Sequence, residues 1–142
     1  MTAVTFGELG EAECRALLAR NHVGRMAFSF HDRVDIQPLS YAYEGDWIAC
    51  RTQPGNKIWT LERSPWVAFE VDEVRGPYDW QSVVVRGTVY RLDEPSAERD
   101  ATIAALRTAV PDAFTDEDPA PHRVLVFRIY VRELSGRVAR TG

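Results

Sequence analysis

"VGRMAFSFHDRVDIQPLSYAYEGDWIACRT", Val23 to Thr52, decides the fold. Its first eight residues alternate. Met26, Phe28 and Phe30 fall on one face, and Val23, Arg25, Ala27 and Ser29 on the other. A period of two is the signature of a β-strand with one buried face. "HDRV" then supplies a turn, "DIQPLSYAY" a second strand, "EGD" another turn and "WIACRT" a third strand. The segment reads as an antiparallel meander.

The pattern extends outward in both directions. Before it, "GEAECRALLAR" is rich in good helix formers and reads as a short helix over 10–20. After it, "QPGN" is a loop broken by Pro54 and Gly55, and "NKIWTLERS" starts a helix at Asn56, an acceptable N-cap, that Pro65 ends. "WVAFEVD" is a fourth strand, "EVRGPYD" a loop and "WQSVVVRGTVYRL" a long, β-branched fifth strand. A second helix follows over "PSAERDATIAALRTAV", with Ser96 as N-cap and Pro111 just past its end. An acidic loop, "DAFTDEDPAP", leads to a sixth strand, "VLVFRIYVREL", and an arginine-rich tail. The expectation is a mainly β chain of six antiparallel strands with short helices, folded as one domain over 1–142. Open sandwiches and small barrels suit such a chain, because closure removes exposed strand edges. The order is not βαβ, and there is no G-x-G-x-x-G or Walker sequence.

Bulk properties narrow the function. The chain is 45% hydrophobic and 11% aromatic, as expected of a globular protein. A net charge of −4, with no basic tract, gives no electrostatic footprint for nucleic acid or anionic membranes. The apolar runs are far shorter than a membrane span, and the N-terminus has no secretory pattern. Cytoplasm is the expected location. Cys14 and Cys50 have neither metal-ligand nor disulfide-scaffold spacing. His22, His31 and His122 read as surface residues. No Ser–His–Asp order and no metal cluster stands out, so neither a catalytic side chain nor a metal site is expected.

One loop carries chemistry. Lys57 is the only lysine beside sixteen arginines, and it stands in the first turn of the expected helix after "RTQPGN". Free N–H groups at a helix start attract anions. Thr52 adds a hydroxyl, Arg51 a planar fork, Gly55 close backbone approach and Lys57 a compact charge. Together they suit a phosphate group. A plain solvated lysine fits the same residues.

These segments, taken in order, resemble the pyridoxamine 5′-phosphate oxidase-like, FMN-binding split-barrel proteins, and among them the short bacterial branch with nitroimidazole-resistance-type flavoproteins. The likeness runs from Leu9 to Leu92 and is weaker in the last strand. It rests on "GRMA" opening the first strand, "PLSY" in the second, and "GNK" eight residues before Pro65. The resemblance implies a six-stranded antiparallel Greek-key split barrel and a homodimer with FMN between the subunits. It implies that Gln37, Pro38, Leu39, Ser40 and Tyr41 lie along the flavin ring. Arg51, Thr52, Asn56 and Lys57 would hold the phosphate, and Ser82, with Trp80 and Gln81 beside it, would reach the flavin. Pro38 fits a bulge under a flat ligand or a plain edge strand. Trp80 fits a lid or a rim aromatic at the dimer interface. The implied function is an FMN-dependent oxidoreductase acting on a small molecule, with the flavin carrying the hydride or electrons. A deazaflavin-dependent reductase of the same fold and a non-enzymatic flavin or haem binder are the alternatives. True pyridoxamine-phosphate oxidases have a C-terminal segment that "SGRVARTG" does not supply, which argues against vitamin B6 oxidation.

Overall fold

A computed structural model describes residues 3–56 and 65–142. The expected helix beyond Asn56, with Lys57 and Trp59, lies outside them. Ten elements follow in order: β1 (Val4–Leu9), α1 (Glu11–Arg20), β2 (Val23–Phe30), β3 (Arg33–Ser40), β4 (Ala42–Glu44), β5 (Trp47–Thr52), β6 (Trp66–Gly76), β7 (Asp79–Arg91), α2 (Ala97–Ala109) and β8 (Leu125–Thr141). All pairings are antiparallel, and the strand path is β3-β2-β6-β7-β8-β5-β4, with β1 also on β8. Neither described helix is long and apolar enough to cross a membrane.

The expected alternation in β2 is present. Met26 and Phe28 are buried, while Arg25 and Ser29 are exposed. The β2–β3 hairpin turns on His31 and Asp32, both at positive φ (50° and 60°), the backbone that a two-residue hairpin with matched strand twist requires. Both helix starts are capped. The Gly10 N–H donates to Glu13 Oε1 at 3.2 Å, and the Arg99 N–H donates to Ser96 Oγ at 3.0 Å.

Two apolar clusters fill the interior. The larger places Leu17 and Leu18 of α1 against Met26, Phe69, Val83 and Phe127 of the sheet. The smaller places Ala105 and Leu106 of α2 against Ala42, Ala49 and Val126. Each fully buried leucine or phenylalanine contributes roughly 1.5–3 kcal/mol. The second cluster is reinforced by a buried arginine. Arg128 Nε donates to Thr102 Oγ1 at 2.7 Å, and its guanidinium carbon lies 3.7 Å from the Trp47 ring centroid.

The sheet has eight strands where six were expected, and the ladder does not close between β3 and β4 at the ends of its path. Three local readings change. β1 has no clean alternation and a central Gly7; its partner β8 makes it a strand, in register from Val4↔Thr141 to Leu9↔Gly136. The expected second strand divides at Tyr41, whose N–H donates to His22 O at 2.9 Å, one step past the end of the β2–β3 ladder. The arginine-rich tail continues β8, which pairs with β7 on one side and with β5 and then β1 on the other. Pro38 in β3 faces Arg25; among the described residues β3 pairs only with β2, so the missing N–H falls in an edge strand.

Candidate functional site

The residues singled out above fall into separate groups. The first ties the loop after β5 to β3. Gln37 Nε2 donates to Asn56 Oδ1 at 3.1 Å, and Asn56 Nδ2 donates to Gln37 Oε1 at 2.8 Å. This reciprocal carboxamide pair pins a turn in which the Asn56 N–H reaches Gln53 O at 3.2 Å. Gly55 makes the turn possible with φ +88°, and among the described residues no atom lies within 4 Å of where a Cβ would stand. The backbone there is open to a close-approaching ligand. Lys57 lies outside the described residues.

The second group surrounds the end of β3. Leu39 and Tyr41 are buried in the larger cluster. The Tyr41 hydroxyl donates to Leu18 O at 2.6 Å, and its ring meets Phe69 edge-on at 5.2 Å. Burial pushes this phenol up, so it stays neutral. Ser40, Tyr41 and Arg51 line a cleft of about 90 Å³ with Leu106 and Arg123. Thr52 is buried beside them, opposite Leu125. Arg51 is buried and its fork is taken. Its two terminal nitrogens donate to Asp118 at 2.6 and 2.9 Å, under the Phe114 ring. The Arg51 guanidinium, joined by the N–H groups of Phe114 and Ala120, holds the Asp118 carboxyl well below the usual carboxylate range. A phosphate seeking this guanidinium competes with a carboxylate already in bidentate geometry.

The third group opens β7. Trp80 Nε1 donates to Pro77 O at 3.2 Å. Gln81 Nε2 donates to Glu73 Oε1 at 3.0 Å, and Glu73 also accepts from Arg20 (2.8 and 2.8 Å) and Asn21 (2.8 Å) at the end of α1. Arg20 first, and Asn21 next, pull the Glu73 carboxyl down to about 2. Ser82 Oγ donates to Glu70 Oε2 at 2.9 Å. Arg25 sits 3.4 Å from both Glu70 and Asp72. Burial first, then the hydrogen bond with Asp72, raises the Glu70 carboxyl. Arg25, Glu70, Asp72 and Ser82 share the sheet face opposite the core, since Glu70 and Asp72 alternate with buried Phe69 and Val71, whereas Glu73 and Gln81 fall on the other face, beside the end of α1.

Ser82 and Pro38 lie on strands separated by β2 and β6, about 14 Å apart at ordinary strand spacing. Arg25, Glu70, Asp72 and Glu73 were not singled out from sequence. The acid at every second position in "FEVDE" carried a signal for Glu70 and Asp72, but their partners depend on register. Among the described residues, no three His, Cys, Asp or Glu side chains group to hold a metal. Cys14 and Cys50 are free and buried, and the three histidines are exposed.

Comparison with known proteins gives this arrangement a context. An uncharacterized Rhizobium meliloti protein is 31% identical over 84 residues, which is 59% of this chain and 56% of that protein's length. A crystal structure of a FAD-binding protein from Mesorhizobium loti is 31% identical, with a TM-score of 0.73, covering 93% of this chain and 96% of that one. A candidate 5-nitroimidazole antibiotic resistance protein from Bacteroides thetaiotaomicron has the same fold, with a TM-score of 0.76 at 18% identity, covering 99% of this chain and 92% of its own. The family described as pyridoxamine 5′-phosphate oxidase matches residues 10–138, which include every residue of the three groups, and the chain belongs to that family.

Proposed function

We propose that this protein is a flavin-dependent oxidoreductase that works as a homodimer and takes a small-molecule substrate between its subunits, with FMN as the cofactor. The observation that carries the flavin reading is the likeness to the FAD-binding protein of Mesorhizobium loti, which spans 93% of the chain at 31% identity. The donor set suits such a ligand. Carboxamides at Gln37 and Asn56, hydroxyls at Ser40 and Ser82, and the open backbone at Gly55 match a ring with polar edges and a phosphate tail. In this reading Gln37 to Tyr41 border the ring, Thr52, Asn56 and Lys57 hold the phosphate, and Arg51 joins them only by sharing Asp118. Trp80, Gln81 and Ser82 complete the site from β7.

The flavin supplies the hydride or electron chemistry; the chain orients it and keeps water from the reacting face. The dimer has a ready surface. Val34 (82% exposed), Ile36 (63%) and Trp66 (60%) form an apolar patch with Ala27 and Ala68 on the sheet face that also carries Ser82. Exposed apolar surface of this kind marks an interface.

The absorption spectrum of the purified protein tests the cofactor. Flavin bands, with FMN released on denaturation and identified by chromatography, are expected. Released FAD would correct the nucleotide and keep the flavin. A colourless protein that takes up only a deazaflavin, or a haem Soret band, would overturn the reading. Trp66→Glu tests the dimer: it should yield a monomer by light scattering that has lost its flavin, and a flavin-loaded monomer would refute the interface.

A further inference from the structure

Beside the start of β7 lies a cleft of about 300 Å³ that adjoins the proposed flavin contacts at Trp80 and Gln81 and runs on past them to Arg75 and Arg140. Trp80, Arg75, Arg140, Thr141, Asp79 and Glu73 line it. Its charge is biased. Glu73 is spent on Arg20, Asn21 and Gln81, while neither Arg75 nor Arg140 forms an ion pair among the described residues. Two guanidinium groups therefore face one remaining carboxylate, Asp79. The indole is held from one edge by the bond to Pro77 O at 3.2 Å. Thr141 adds a hydroxyl.

An aromatic plane beside paired guanidinium groups is the chemistry that receives a nucleobase with a diphosphate. Stacking on an indole recognises the base, and arginine forks take phosphate oxygens in bidentate geometry. The volume sits at the lower end for ligand pockets, which suits one nucleotide half and excludes a whole dinucleotide. Trp80 and Ser82 lie two residues apart on one strand, on the same face and about 7 Å from each other. A group in the cleft is thus within covalent reach of a ring that touches Ser82.

We propose that this cleft binds the adenosine diphosphate group of a dinucleotide, with Trp80 stacking on the adenine and Arg75 and Arg140 holding the diphosphate. The inference rests on the flavin reading for the rest of the ligand. The group comes from a nicotinamide dinucleotide donor, because in FAD one of its two phosphates is the flavin's own, which the reading above puts at Thr52, Asn56 and Lys57; binding measurements separate the two sources.

The full-length protein is titrated calorimetrically with ADP, FMN, FAD and NADH. The variants are Arg75→Ala combined with Arg140→Ala, Trp80→Ala and Trp80→Phe. ADP should bind the wild type and weaken about tenfold or more in the double arginine variant, with FMN affinity unchanged. Trp80→Ala should weaken ADP, and Trp80→Phe, which keeps a ring, should restore most of its binding. FAD binding more tightly than FMN, by a margin the double variant abolishes, overturns the donor as the source and with it the placement of the flavin phosphate at Lys57. FAD equal to FMN, with ADP competing against NADH, assigns it to the donor. Failure of ADP to bind the wild type, or equal binding by the double variant, overturns the proposal. Loss of FMN together with ADP in that variant also overturns it, because the arginines would then belong to the flavin's own site. ADP binding that is lost in the double variant, in a protein that takes no flavin, supports the cleft and sinks the flavin reading instead.

Discussion

Glu73→Gln probes the joint between α1 and the β6–β7 hairpin. The carboxylate accepts four hydrogen bonds there, two from Arg20 and one each from Asn21 and Gln81. Its pKa falls from an ordinary 4.5 to about 2. At 1.36 kcal/mol for each unit, that difference amounts to about 3 kcal/mol. The side chain is 29% exposed and its Arg20 partner 47%, so solvent screening reduces the figure to about 1–2 kcal/mol. The folded state holds this proton less tightly than the unfolded state, so unfolding takes up a proton between the two values. The stabilisation is complete above pH 4.5 and disappears as pH falls through about 2. Glutamine keeps one acceptor but turns an amide toward a guanidinium. At pH 7 the variant should lose about 1–2 kcal/mol in urea denaturation, with a melting point lower by roughly 3–8 °C. At pH 2 most of the difference should be gone, because the carboxyl is then about half protonated in the folded state and almost fully protonated in the unfolded one. A variant as stable as the wild type at pH 7, or one with the same deficit at both pH values, would refute the reasoning.

Other changes test other parts of the molecule. Gly87→Ala should destabilise by about 3 kcal/mol in chemical denaturation, since the new Cβ would collide with the Tyr130 carbonyl oxygen, a backbone atom held in the β7–β8 ladder. Phe69→Ala should cost about 3–5 kcal/mol by the same measure, because Phe69 is fully buried and supports the Tyr41 ring. Lys57→Ala should weaken FMN about tenfold to hundredfold in a fluorescence titration; unchanged affinity would remove Lys57 from the phosphate site, and full binding by Lys57→Arg would show that only the charge matters. Asp118→Ala should free the Arg51 fork and loosen the segment from Phe114 to Ala120, read as faster proteolysis there without loss of the overall fold.

Much of the local structure was legible before any coordinates. Met26 and Phe28 announced a buried strand face by alternation, Ser96 announced the start of α2, and Pro111 stands just past its end. The order of "GRMA", "PLSY" and "GNK" pointed to the family, and residues 10–138 match it. The candidate site was only partly visible. Gln37 and Asn56 were both named, but nothing nearby showed that each is the other's partner across 19 positions. Arg51 read as an open fork, yet it meets Asp118, 67 residues further on.

The division has a physical cause. Side-chain alternation, capping hydroxyls and turn-forming residues act over a few positions, so the chain carries them in readable form. Pairing is different. Val4–Leu9 becomes a strand because Gly136 to Thr141 lie alongside it, and the Glu73 carboxyl falls below its ordinary value because α1 ends beside it. Those contacts join residues far apart along the chain. Only the folded register decides which carboxylate reaches which guanidinium, and so which arginines, such as Arg75 and Arg140, are left without an ion pair among the described residues.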